Sequence, residues 1–129
     1  MGRSTVVLLE IDPAGNLIDP LPGRAEPDSQ VAFVVINNHG TDKFDVEIDL
    51  PNIVLKQDRT TKANPFATAH KHKIVVPGEI DVIKQKTRRA ADFGNAALPY
   101  TTYKYSVIVT NQTAGTSVTI DPDFDIPPP

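Results

Sequence analysis

Apolar and polar positions alternate most cleanly from Lys43 to Leu50, where Phe44, Val46, Ile48 and Leu50 fall on one side and Asp45, Glu47 and Asp49 on the other. Successive side chains of a strand point to opposite faces, so this segment predicts a half-buried β-strand. Tyr103 to Val109 repeats the pattern, with Tyr103, Tyr105, Val107 and Val109 set against Lys104, Ser106 and Ile108. Thr5 to Ile11 and Val31 to Ile36 are continuous apolar runs instead. A run of that kind fits a central strand covered on both sides, or one whose outer face meets a partner. Turn-forming residues punctuate the chain at Asp12-Pro13-Ala14-Gly15-Asn16, at Asn37 to Asp42, at Pro77-Gly78 and at Thr110 to Gly115. They delimit further strands at His72 to Val76, Glu79 to Lys84 and Thr116 to Ile120, with Asp121 to Ile126 extending an edge. Pro51 to His70 reads as a long irregular stretch with one apolar patch at Ile53, Val54 and Leu55, and Gln85 to Phe93 as a loop or short helix ended by Gly94. The expected class is all-β, an antiparallel two-sheet Greek-key sandwich of about seven to eight strands. It forms one domain over residues 1–129 with a proline-rich tail at 127–129.

Composition narrows this further. Twelve prolines are spread along the chain, and the proline-free windows, about two dozen residues at most, are too short for a helical bundle. At 129 residues the chain can bury roughly two-thirds of its extended surface, enough for a core without staples. Cysteine is absent, which removes disulfides, thiolate metal sites and cysteine nucleophiles together. With 40% hydrophobic and 22% charged residues and a net charge of -3, the chain reads as a globular domain with no apolar run of membrane-spanning length. Met1 to Leu9 lacks the apolar core and small-residue cleavage site of a secretory signal, so the default expectation is cytoplasmic, without a membrane partner.

The order of segments resembles the cupredoxin-like and immunoglobulin-like sandwiches. The residues that carry the likeness are an apolar strand ending in Asn37-Asn38, then Phe44-Asp45-Val46-Glu47-Ile48, a Val76-Pro77-Gly78 turn, Tyr103-Lys104-Tyr105-Ser106-Val107 and a closing Asp121-Pro122-Asp123. They are similar to small bacterial members that lack the copper ligands. The resemblance would place a copper-binding His where Phe44 stands, a Cys near Val107, and a His and Met in the loop that here reads Thr110-Asn111-Gln112-Thr113. Blue-copper chemistry needs a His₂Cys set, so the ligand inventory excludes it. The immunoglobulin-like comparison also implies a corner hydrogen bond from a tyrosine at the start of the penultimate strand, with Tyr105 two residues before the position of that family's Cys.

Several residue groups could carry chemistry. His70 and His72 lie two apart, so an extended chain points both imidazoles the same way, and His39 or a carboxylate could complete a copper or zinc site. Lys71 and Lys73 flank them and oppose a cation, so no metal or other cofactor is expected. Asp121, Asp123 and Asp125 resemble the opening of a calcium loop, yet the required Gly and Glu are missing, and a charged edge that discourages strand pairing explains them. From Lys56 to Arg89 the chain holds nine basic and three acidic residues, against four and thirteen elsewhere. Lys71, Lys73, Lys84, Lys86, Arg88 and Arg89 are therefore candidate binding residues for a polyanion, an acidic partner or the acidic patch of a second copy. Nucleic acid is not the expected partner, because few aromatics are interleaved with these cations. No nucleophile elbow or glycine-rich phosphate loop occurs, so no catalytic residues are assigned. Asn111-Gln112-Thr113 forms a glycosylation sequon. The leading expectation is a non-catalytic module acting through protein contact or self-assembly; metal binding and polyanion binding are the alternatives.

Overall fold

A computed structural model describes residues 4–67, 72–93 and 99–128. Its strands are β1 (Ser4–Ile11), β2 (Gly23–Arg24), β3 (Gln30–Asn37), β4 (Phe44–Ile48), β5 (Val54–Leu55), β6 (His72–Val75), β7 (Ile80–Lys86), β8 (Thr102–Lys104), β9 (Val107–Asn111), β10 (Thr116–Ile120) and β11 (Asp123–Asp125). One sheet has the order β1-β3-β7, a second β10-β9-β4-β6 and a third β2-β11-β8-β5. The last two are the ends of one layer. Their ladder continues across the strand breaks, where the Asp49 amide donates to the Ser106 carbonyl at 3.0 Å and the Tyr105 amide to the Pro122 carbonyl at 3.1 Å. The molecule is thus an all-β sandwich.

The alternating segments point as their sequence requires. Phe44, Val46, Ile48 and Leu50 are buried, as are Tyr103, Tyr105, Val107 and Val109. They pack against Val7, Leu9 and Ile11 of β1, Val31, Phe33 and Val35 of β3 and Ile83 of β7 in one core. Phe33 joins the layers by meeting Tyr105 edge-on at 5.7 Å between ring centres. Such pairs add about 0.5–1.5 kcal/mol beyond area burial.

Pairing departs from a purely antiparallel plan in two places. β1 runs parallel to β3 over its whole length, and β2 runs parallel to β11. A parallel pair needs a crossover of a dozen or more residues, and residues 12–29 supply it, with β2 lodging in the opposite layer on the way. Gly23 permits that approach, since a Cβ there would stand 2.6 Å from the Phe124 ring. The irregular stretch after Pro51 is folded as far as it is described. Asp58 accepts the Thr60 and Thr61 amides, Val54 bridges to Lys62, and Phe66 is buried edge-on against Phe33 and Phe124. Gln85 and Lys86 continue β7, and a 3-10 turn at Ala90–Asp92 follows. β11 is no edge either: it lies between β2 and β8. Among the described residues no helix is long and apolar enough to cross a membrane.

Candidate protein-contact surface

The β1-β3-β7 sheet buries one face against the second layer and leaves the other open. On that outer face the register sets Val6 beside Ala32 and Lys84, Leu8 beside Val34 and Val82, and Glu10 beside Ile36 and Ile80. Val6, Leu8 and Ile80 are 66%, 47% and 61% exposed, and Val34, Ile36 and Val82 are half-buried by their neighbours alone. The runs Thr5 to Ile11 and Val31 to Ile36 lack alternation for this reason: both of their faces are aliphatic. A groove of about 340 Å³ between β1 and residues 18–22 extends the apolar surface to Ile18 and Leu21. At the opposite corner a groove of about 370 Å³ is lined by Val6, Gln30, Ala32, Lys84 and Lys86. Contiguous apolar surface rimmed by polar residues is the physical signature of a contact site.

The cations are placed unequally around this face. Lys84 and Lys86 both project from it, because residues two apart on a strand share a side. Lys84 has no hydrogen-bond or ion-pair partner among the described residues, whereas Lys86 pairs with Asp28 at 3.0 Å. Arg88 donates through Nε to the Asn64 carbonyl, and Arg89 forms a bidentate pair with Asp92 that raises its already high pKa. Lys73 lies on β6 in the other layer, and Lys71 falls outside the described residues. The five described cations therefore do not form one patch.

The two described histidines are also separated. His70 lies outside the described residues. His39 Nδ1 accepts the backbone amides of Thr41 and Asp42, at 3.2 and 3.0 Å, so its lone pair holds the 37–42 loop closed. The ring stands edge-on to Phe44 at 5.9 Å. His72 is paired with Glu47, three rungs along the ladder from the Phe44–Val75 pair beside which the His39 ring stands. His72 Nδ1 faces Asp45 Oδ1 at 3.1 Å instead. At the end of the sandwich where the family resemblance expects copper ligands, Asn37 is buried and donates to the Asp42 and Val75 carbonyls. The Asp42 carboxylate accepts from Asn111 and Thr41, which hold it below its ordinary range. Asn111 also accepts the Thr113 and Ala114 amides, so the sequon asparagine is fully engaged as the cap of the β9–β10 hairpin.

The aspartate run is satisfied internally. Burial works to raise the Asp123 carboxyl, but hydrogen bonds from Lys104 at 2.8 Å and Lys56 at 2.5 Å outweigh it and keep the group below its usual range. Asp125 accepts from Thr102 Oγ1 and Asp121 from Ser106 Oγ. The corner hydrogen bond belongs to Tyr103 rather than Tyr105: its hydroxyl donates to the Pro99 carbonyl at 2.9 Å. The Tyr105 hydroxyl is buried and has no partner among the described residues.

No protein-family model matches the chain, and no curated protein matches it. Among solved structures it is similar to Fet3p, a multicopper oxidase that functions in iron import, at 10% sequence identity and a TM-score of 0.50. The match covers 95% of this chain and 27% of that one, so the chain spans about a quarter of its neighbour's length. Likeness at that identity concerns the fold alone, and the all-β layers described above fit a cupredoxin-like sandwich.

Proposed function

We propose that this chain is a non-catalytic, cupredoxin-like module, without the family's copper ligands, that acts through protein contact on the outer face of its β1-β3-β7 sheet. The observation that carries the reading is the aliphatic surface of Val6, Leu8, Val34, Ile36, Ile80 and Val82, which no strand among the described residues covers. The partner it fits is a protein surface that is apolar at its centre and acidic at one margin, where Lys84 offers an ammonium unengaged among the described residues. Burying apolar area contributes about 25 cal/mol per Å², while a rim charge chiefly steers approach and sets register.

The dye 1-anilinonaphthalene-8-sulfonate carries the same two features in one molecule and probes the face directly. The folded chain is expected to enhance its emission, Leu8→Lys to reduce the enhancement several-fold and Lys84→Glu to weaken binding, all with an unchanged circular dichroism spectrum. A native chain that leaves the dye dark, or a Leu8→Lys variant that binds it undiminished, would overturn the reading.

A further inference from the structure

Every sheet has two edges, and an edge strand presents unpaired amides and carbonyls to any chain that can pair with them. Most edges here are blunted. The outer edge of β1 is met by residues 17 and 18, with the Ile18 amide donating to the Glu10 carbonyl at 2.8 Å. β7 is capped by the Ala67 amide on the Lys86 carbonyl at 2.7 Å, and its Val82 amide is taken by the Asp81 side chain. β2 and β5 are two residues long, and β6 is short and carries Lys73.

β10 has none of these protections. Its sequence, Thr116-Ser117-Val118-Thr119-Ile120, contains no charge, no proline and no glycine, and four of its five residues are β-branched. It pairs with β9 on one side, and among the described residues no hydrogen bond reaches its other side. Residues 116–119 are exposed, Val118 by 54%. Short β-branched segments of low charge on an open edge are the ones that add strands.

We infer that β10 pairs antiparallel with β10 of a second copy, joining two sandwiches through one continuous sheet. The strand is complementary to itself in a register centred on Val118. Thr116 then lies opposite Ile120, Ser117 opposite Thr119, and Val118 opposite Val118 of the other copy. No charge meets a like charge in that register, the exposed valines cover each other, and Ser117 and Thr119 extend the hydroxyl pairing that Ser117 already makes with Thr110 at 2.8 Å. Beyond the strand, the uncharged hairpin tip of each copy arrives beside a groove of about 420 Å³ on the other, whose lining includes Asp19, Lys104, Asp121 and Asp123 as well as Pro20 and Ile120, so no like charge opposes it there either. This edge is separate from the β1-β3-β7 face, so the inference goes beyond the protein-contact reading.

Sedimentation velocity on the full chain, from micromolar to near-millimolar concentration, tests it. A monomer–dimer equilibrium is expected, with slowed amide exchange at Thr116 to Ile120 in the dimer. Val118→Lys places two ammonium groups against each other and should abolish the dimer, as should Val118→Glu; mixing the two variants should restore it. A wild-type chain that stays monomeric overturns the pairing, as does a dimer that survives Val118→Lys. An association lost in Leu8→Lys but not in Val118→Lys would likewise overturn it, leaving the sheet-face reading intact.

Discussion

Asn37 ends β3 with a buried side chain that does the work of a short strand. Its amide donates to the carbonyls of Asp42 and Val75, and its carbonyl oxygen accepts the His39 amide. One residue thereby ties the 37–42 loop to β6 across the two layers. The tyrosines show the opposite extremes of polar burial. Burial pushes both phenols above their ordinary range, and for Tyr105 the nearby Asp123 charge adds to it. Only Tyr103 has a hydrogen-bond partner among the described residues. The Pro99 carbonyl keeps the Thr101 amide at 2.8 Å, so removing the Tyr103 hydroxyl forfeits one hydrogen bond, worth about 0.5–1.5 kcal/mol, whereas removing a hydroxyl that has no partner costs almost nothing. Tyr103→Phe is therefore expected to lower the urea midpoint clearly, and Tyr105→Phe to leave it unchanged or raise it. Equal losses in the two variants would contradict the assignment of the corner to Tyr103.

At the scale of elements, β11 shows how a charged strand can lie inside a sheet. Asp123 is held by Lys104 and Lys56, and Asp125 by Thr102, so the carboxylates that would repel an added strand serve as acceptors. The folded-state pKa of Asp123 is depressed below its unfolded value near ~3.9. The stability this group contributes is therefore fully present above about pH 4 and is lost as the pH falls through the lower folded value. Lys104→Met should lower stability at neutral pH and flatten the decline below pH ~4, read by urea denaturation across that range. A variant that loses stability equally at all pH values would assign Lys104 a packing role instead.

On the scale of the whole molecule, charge and apolar surface are divided between the layers. The outer side of the second layer carries Asp45 and Glu47 of β4, whereas the β1-β3-β7 face is aliphatic with Lys84 and Lys86 at one corner. The basic excess along the chain does not become a basic surface of matching strength, because Lys86 and Arg89 are paired with the carboxylates of Asp28 and Asp92, while Arg88 is turned onto the Asn64 carbonyl. Heparin retention should accordingly be weak, ending below roughly physiological ionic strength, where exposed charges are screened within about 8 Å. Retention that persists well above it would revive polyanion binding as the function.

Local patterning alone determined the all-β class, the inward faces of the segments around Phe44 to Leu50 and Tyr103 to Val109, and the absence of blue-copper ligands, because strand periodicity and ligand inventory are properties of neighbours in sequence. The unbroken apolar runs at Thr5 to Ile11 and Val31 to Ile36 already carried the signal of an uncovered outer face, though not the choice between that and double coverage. Long-range packing decided the rest. The parallel β1–β3 register depends on where the 12–29 crossover lodges, and the burial of Phe66 depends on a pocket formed by Phe33 and Phe124. The corner passed to Tyr103 because the Pro99 carbonyl lies within its reach. The open edge at β10 and the neutralised cations exist only once distant segments meet, since no spacing along the chain says which strand will lack a neighbour or which lysine will find a carboxylate.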